Sequence, residues 1–248
     1  WSVSALIKSP NGVVEIHKDN IKAGCDVIIT NNYYVTPNIL KREGIENQFE
    51  SLTRLAVTLA EESRQGFPEV LIAGSFPPIE TSFRPDLTPS NEVLDDYYSN
   101  LGSFIQQKVD LILCETMGSI REGLNAAKNA LEFSDRVWLS WTNRGISGDI
   151  LPSGEKLKDA VLAANHLDVE CQLINCCAAD LATKNIEALK KAKNYGVYAN
   201  SRKLKEHKSI QDLGETEDID VNHYANTVPI SPEEYAKEAK IWIDQGAY

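Results

Sequence analysis

Residues 110–116 read DLILCET, an apolar run delivered between two acids. A strand with one wet face alternates polar and apolar residues; Leu111 to Cys114 do not, so both faces of this segment are to be covered, as in a parallel sheet flanked by helices. Five more segments share the character: Asp26–Thr30 (DVIIT), Val70–Ser75 (VLIAGS), Val137–Trp141 (VWLSW), Cys171–Asn175 (CQLIN) and Gly196–Asn200 (GVYAN). Between them, apolar residues at intervals of three and four predict helices over Asn47–Gln65, Asn91–Gln107, Ser119–Phe133, Glu155–His166, Ala182–Asn194 and Pro232–Gln245. Ser90, Ser119 and Ser231 stand at candidate N-caps, the last followed by Pro232 and two acids. No Gly-rich phosphate-binding turn follows a strand, which argues against a doubly wound dinucleotide fold. The expected fold is therefore α/β, a single (β/α)8 TIM barrel over residues 1–248. The visible strands are then the second to the seventh, with the first strand and the end of the eighth outside the sequence. The polar segment Ser201–Thr227 is expected to be an exposed loop.

Bulk properties narrow the function. With 36 acidic against 25 basic residues and a net charge of −11, the surface repels phosphate backbones, so nucleic acid is excluded as a partner. No apolar run reaches the roughly 18 residues that cross a bilayer. The five cysteines follow no signal-peptide pattern and are odd in number, which predicts reduced thiols and a cytoplasmic location. The sequence does not fix an oligomeric state.

In a barrel, chemistry gathers where the C-terminal strand ends converge. That filter selects Thr30 with Asn31, Asn32, Tyr33 and Tyr34, then Ser75, Glu115, Trp141, and Asn175 with Cys176 and Cys177. Adjacent cysteines do not form an unstrained disulfide. Packing is the ordinary role of a buried thiol, and the strand-end position makes metal ligation or nucleophilic attack an equal alternative. His17, His166, His207 and His223 end no strand, which weakens Cys–His catalysis. Zinc takes three or four ligands, and this pair offers at most two. Glu115 is either a salt-bridged rim acid or the counter-charge of a substrate ammonium. Tyr33, Tyr34 and Trp141, if they surround a cavity, favour a sulfonium or quaternary ammonium cation.

Taken together, the AGCDVIITNNYY segment, AGS after the next strand, DLILCET, the INC strand end, YAN and the final W-x-x-x-G-A resemble the homocysteine S-methyltransferase family. The resemblance runs from about Trp1 to Tyr248. It implies a (β/α)8 barrel holding Zn2+ through three cysteine thiolates, of which Cys176 matches one; the other two would lie in a G-G-C-C segment beyond Tyr248. It implies methyl transfer to the thiol of homocysteine, with zinc keeping that thiol deprotonated and nucleophilic. Glu115 would bind the homocysteine amino group, Thr30 and nearby backbone its carboxylate, and Tyr34 would face the donor. Asn31, Ser75, Trp141 and Asn175, selected as strand-end residues, complete the expected substrate site.

Three departures stand out. The family's sulfonium-using members follow AGS with a G-P-Y/G-A loop, where this chain has FPPIETSFRPDLTPS; Asn32 replaces Thr in T-N-T-Y; and Cys177 stands where a small polar residue is usual. The expected reaction is zinc-dependent methyl transfer from an S-methylmethionine-like sulfonium or an ammonium donor to homocysteine, giving methionine. The alternatives are transfer to another small thiol or selenol, and a metal-free barrel that only binds a ligand.

Overall fold

The computed structural model describes residues 2–80, 83–143, 148–205 and 227–248. Helices α1 (Ser2–Lys8) and α2 (Pro10–Lys22) lead into β1 (Val27–Ile29). There follow α3 (Pro37–Arg42), α4 (Phe49–Ser63), β2 (Leu71–Phe76), α5 (Asn91–Ile105), β3 (Leu111–Met117), α6 (Ile120–Ala130) and β4 (Val137–Thr142). Next come α7 (Leu157–Ala164), β5 (Cys171–Ala178), α8 (Ala179–Leu189) and β6 (Tyr195–Asn200). A short pair, β7 (Arg202–Leu204) and β8 (Thr227–Pro229), precedes the last helix, α9 (Pro232–Asp244).

The six long strands form one parallel sheet in the order β1-β2-β3-β4-β5-β6. Strand order that never reverses, joined by right-handed crossovers, puts every connecting helix on the same side and curls the sheet. The two faces of β3 are consequently apolar for different reasons. On the convex side, Ile112, Cys114 and Met117 pack with Val137, Leu139, Trp141, Ile174 and Cys177 against residues of α5, α6, α7 and α8. On the concave side, Ala73, Leu111, Leu113, Cys171 and Leu173 meet one another with Trp138 and Tyr198, all from strands.

The described residues form the six parallel strands expected of them, with β1 and β6 as the edges of this sheet and no eight-strand closure among them. One expectation needs correction. The segment Ser201–Thr227 is not all loop: its two ends pair antiparallel as β7 and β8, with Lys203 opposite Val228. Three polar or mixed residues carry no alternation signal, which hid the pairing; residues 206–226, including His207 and His223, lie outside the described residues. Of the three N-cap serines, Ser231 makes a reciprocal capping box with Glu234 and Ser119 accepts from the Glu122 N–H, whereas Ser90 makes no side-chain cap bond.

Strands β3 and β5 outrun their sequence boundaries by two and three residues. Each does so through a break in pairing register, between Cys114 and Met117 and between Asn175 and Ala178. Thr116 (φ 60°) and Cys176 (φ 52°) take the left-handed conformation there, a costly choice for residues with a Cβ, above all for β-branched Thr. An inserted residue of this kind re-aims the side chains that follow it.

Candidate active site

Successive strand residues point to opposite faces, so residues two apart share one. Ser75, Glu115, Ser140 and Asn175 lie two beyond the concave residues Ala73, Leu113, Trp138 and Leu173, and Tyr198 is concave itself. One polar patch from β2 to β6 therefore sits on an apolar floor at the C-terminal ends of the strands.

Glu115 is its electrostatic centre. The Ser75 hydroxyl donates to Glu115 Oε1, while burial drives the carboxyl from its ordinary value of 4.5 up to about 7. No salt bridge neutralises it among the described residues, and its carboxyl is buried. Ser75 is held in turn: its N–H donates to Thr30 Oγ1 (2.9 Å), Thr30 donates to Asn32 Oδ1 (2.6 Å), and Asn32 Nδ2 closes the ring on the Ser75 carbonyl (2.9 Å). Asn32 and Thr30 are buried, so this ring fixes the ends of β1 and β2 together.

Asn175 clamps the other side. Its Oδ1 accepts from the Thr116 N–H (3.0 Å) and the Ser140 hydroxyl (2.7 Å), and its Nδ2 donates to Thr116 Oγ1 (2.6 Å). The two left-handed residues are thereby tied: Thr116 Oγ1 lies 3.8 Å from Cys176 Sγ. Burial pushes the half-buried Cys176 thiol up to about 11; the Thr116 hydroxyl opposes this, the Glu115 charge adds to it, and Asn175 opposes it again. Cys177 is fully buried in the convex core, and burial raises its pKa well above the ordinary thiol value. All five cysteines are free thiols.

The remaining expected site residues divide. Asn31 Nδ2 donates to the Ser2 carbonyl (3.5 Å), and the Tyr34 N–H to Ser2 Oγ (3.3 Å), so α1 docks on the loop after β1. Tyr34 meets Tyr33 edge to face with ring centroids 5.1 Å apart. Trp141 does not line the mouth. It points to the helices, with Nε1 donating to Gln172 Oε1 (3.1 Å) and its ring against Gly123 of α6, where an added Cβ would come within 2.5 Å of Cζ3. Counting it as a strand end ignored parity, and the mouth-facing neighbour is Thr142.

Sequence reading also missed Glu122. This buried acid of α6 accepts from the Ile79 N–H (3.0 Å) and the Thr88 hydroxyl (3.0 Å), pinning the loop after β2. Burial raises its pKa, against the hydrogen bonds that lower it. Tyr98 adds a bond to the Pro77 carbonyl (3.2 Å), and Glu80 is held by Asn38 and Arg42 of α3, both at 2.6 Å. The Ser119-x-x-Glu122 spacing was a visible signal, of a capping box; the Glu122 carboxylate serves the loop instead.

Among the described residues no three His, Cys, Asp or Glu side chains gather as a metal site. Cys176 is one thiol donor where zinc takes three or four ligands, so these residues alone do not fit zinc.

A family model described as homocysteine S-methyltransferase matches residues 1–248. The homocysteine S-methyltransferase of Escherichia coli is 28% identical over 76% of this chain, which spans 66% of that relative's length. The selenocysteine methyltransferase of Astragalus bisulcatus is 24% identical, covering 100% of this chain and 79% of its own. The crystal structure of the homocysteine methyltransferase MmuM from Escherichia coli, metallated form, superposes with a TM-score of 0.72 at 28% identity, over 81% of this chain and 76% of that one. With its parallel curled sheet and its concave strand-end cluster, this chain belongs to the homocysteine S-methyltransferase family.

Proposed function

We propose that the protein transfers a methyl group from an S-methylmethionine-like sulfonium, or an ammonium donor, to the thiol of L-homocysteine, giving methionine. The observation that carries the reading is a half-buried thiol, Cys176, and a buried carboxylate with no salt bridge among the described residues, Glu115, on one concave strand-end surface. Such a carboxylate calls for a cation, and the ammonium of an amino acid supplies one. The balance is R–SH plus methylsulfonium to R–S–CH3 plus a neutral thioether and one proton, so the donor's positive charge leaves with the proton. Aromatic faces at Tyr33 and Tyr34 suit the donor cation, and the pinned loop after β2 shapes the donor side. Residues 1–248 act as one homocysteine-binding domain, in the cytoplasm and on small molecules.

Zinc belongs to the proposal, with Cys176 as one thiolate ligand and the other donors drawn from outside the described residues. A second reading, transfer to another small thiol or to a selenol, is favoured by the selenocysteine methyltransferase relative. Full-length protein should contain about one zinc and convert homocysteine to methionine with S-methylmethionine or with glycine betaine. Turnover of selenocysteine in preference to homocysteine selects the second reading. Absence of both zinc and turnover with every donor leaves a metal-free ligand-binding protein.

A further inference from the structure

The loop after β2 leaves the sheet beside Ser75, on the concave patch, and its first residues, Pro77 to Ile79, are buried. Buried backbone groups need partners, and here other βα units supply them. The Pro77 carbonyl accepts from the Tyr98 hydroxyl of α5 (3.2 Å), and the Ile79 N–H donates to Glu122 Oε1 of α6 (3.0 Å). Next in the chain, Glu80 accepts from Asn38 and Arg42 of α3, the helix that follows the loop carrying Tyr33 and Tyr34. This short segment thus joins Ser75 to the element behind the aromatic loop.

The far end of the loop returns to the same carboxylate. Glu122 Oε2 accepts from the Thr88 hydroxyl (3.0 Å), and Arg121, its neighbour on α6, donates to the carbonyls of Thr88 (2.9 Å) and Pro89 (2.6 Å). One side chain therefore closes the loop at both ends, Ile79 on one oxygen and Thr88 on the other, as the base of an Ω-loop is closed. Glu122 is itself fixed near the mouth. It stands in the first turn of α6, at the end of the sheet where the C-termini of the strands gather, and its N–H donates to Oγ of the N-cap Ser119 (3.3 Å), just beyond β3.

We propose that Glu122 is a positioning residue for the methyl donor: through Ile79 and Thr88 it holds the loop after β2 in the shape that walls the donor side of the mouth. This rests on the methyl-transfer reading above. It gives a buried carboxylate on the helix side of the sheet control over donor affinity, and none over homocysteine. A loop released from the staple samples other shapes, and affinity falls with the fraction still competent to bind. The staple needs no charge. A glutamine amide offers an acceptor to the Ile79 N–H and a donor to the Thr88 oxygen, so both contacts survive Glu122→Gln once the threonine hydroxyl turns. Alanine keeps neither.

Full-length protein is assayed with homocysteine and either S-methylmethionine or glycine betaine, for the wild type, Glu122→Gln, Glu122→Ala and Thr88→Val. In Glu122→Ala the KM for the donor should rise by about tenfold or more. The KM for homocysteine and the kcat at saturating donor should stay near wild type, the pattern of lost donor binding alone. Glu122→Gln should restore the donor KM, and Thr88→Val, which opens one end of the loop, should fall between the two. Hydrogen exchange read by mass spectrometry should find the Ile79 amide protected in the wild type and in Glu122→Gln, and exchanging faster in Glu122→Ala. An unchanged donor KM in both Glu122→Ala and Thr88→Val overturns the proposal. So does an equal rise for donor and homocysteine, the mark of a role in stability alone. A Glu122→Gln protein as impaired as Glu122→Ala overturns it too, because the effect would then belong to the charge. Where Glu122→Ala does not fold, Thr88→Val decides in its place. A wild type that turns over with neither donor overturns the methyl-transfer reading itself, and the proposal with it.

Discussion

The concave and convex sides of the sheet are built from alternate residues of the same strands, and they answer to different demands. On the convex side Cys114, Trp141, Ile174 and Cys177 fill space against helices, fully buried, with the Trp141 indole N–H paired. On the concave side Ser75, Glu115, Ser140 and Asn175 form a hydrogen-bonded patch, with a carboxylate held near neutrality and a thiol beside it. Neighbours in sequence therefore differ more than residues on strands far apart. Changes on the convex side should cost stability and spare the chemistry, and changes on the concave side should do the reverse.

The largest stability effect is expected at Trp141. Trp141→Ala should lower unfolding free energy by about 3–5 kcal/mol in a denaturant titration, with homocysteine affinity preserved in the protein that remains folded. Loss of affinity without loss of stability would move Trp141 back to the mouth.

Glu115→Gln tests the other side. Burial lifts the Glu115 pKa from 4.5 to about 7, so the native protein keeps a proton that the unfolded chain releases within that window. Its contribution to stability therefore falls as pH rises from about 4.5 to about 7. The penalty above that window is on the order of 3 kcal/mol. Relative to the wild type, Glu115→Gln should gain stability at pH 8 and little at pH 4, while binding homocysteine far more weakly. A wild type with the same pH dependence as the variant would remove Glu115 as a buried acid.

Asn175→Ala leaves the Thr116 N–H and the Ser140 hydroxyl without their acceptor, at a cost of about 2 kcal/mol. It should also release the strained turn at Cys176, seen as faster alkylation of that thiol by peptide mass spectrometry. The smallest effect belongs to Cys177→Ala, about 1 kcal/mol or less of lost packing, with substrate binding intact.

Much of this was legible in the sequence. Apolar runs without alternation located all six parallel strands, and their ends delivered Glu115, Ser75 and Cys176. What stayed hidden depends on parity. Strict alternation from Asn175 would send Cys176 to the helices and Cys177 to the mouth; the left-handed residue at 176 inverts this, and no glycine announces it. The same inversion at Thr116 sends Met117 into the convex core. Only the family resemblance, through Asn175-Cys176, chose between the two thiols. Trp141 was misplaced for the simpler reason that a strand end was counted without its face. The strand pattern assigned six strands of a barrel to these residues, and six are what the described residues form.

The inverted pair at the end of β5 gives the most direct test. Cys176→Ala and Cys177→Ala are prepared in the full-length protein, and zinc content and methionine formation from homocysteine are measured side by side. Cys176→Ala should lose most of its zinc and its turnover with a melting temperature close to wild type, and Cys177→Ala should keep both. Equal losses in the two variants, or zinc and turnover retained in Cys176→Ala, would contradict the account.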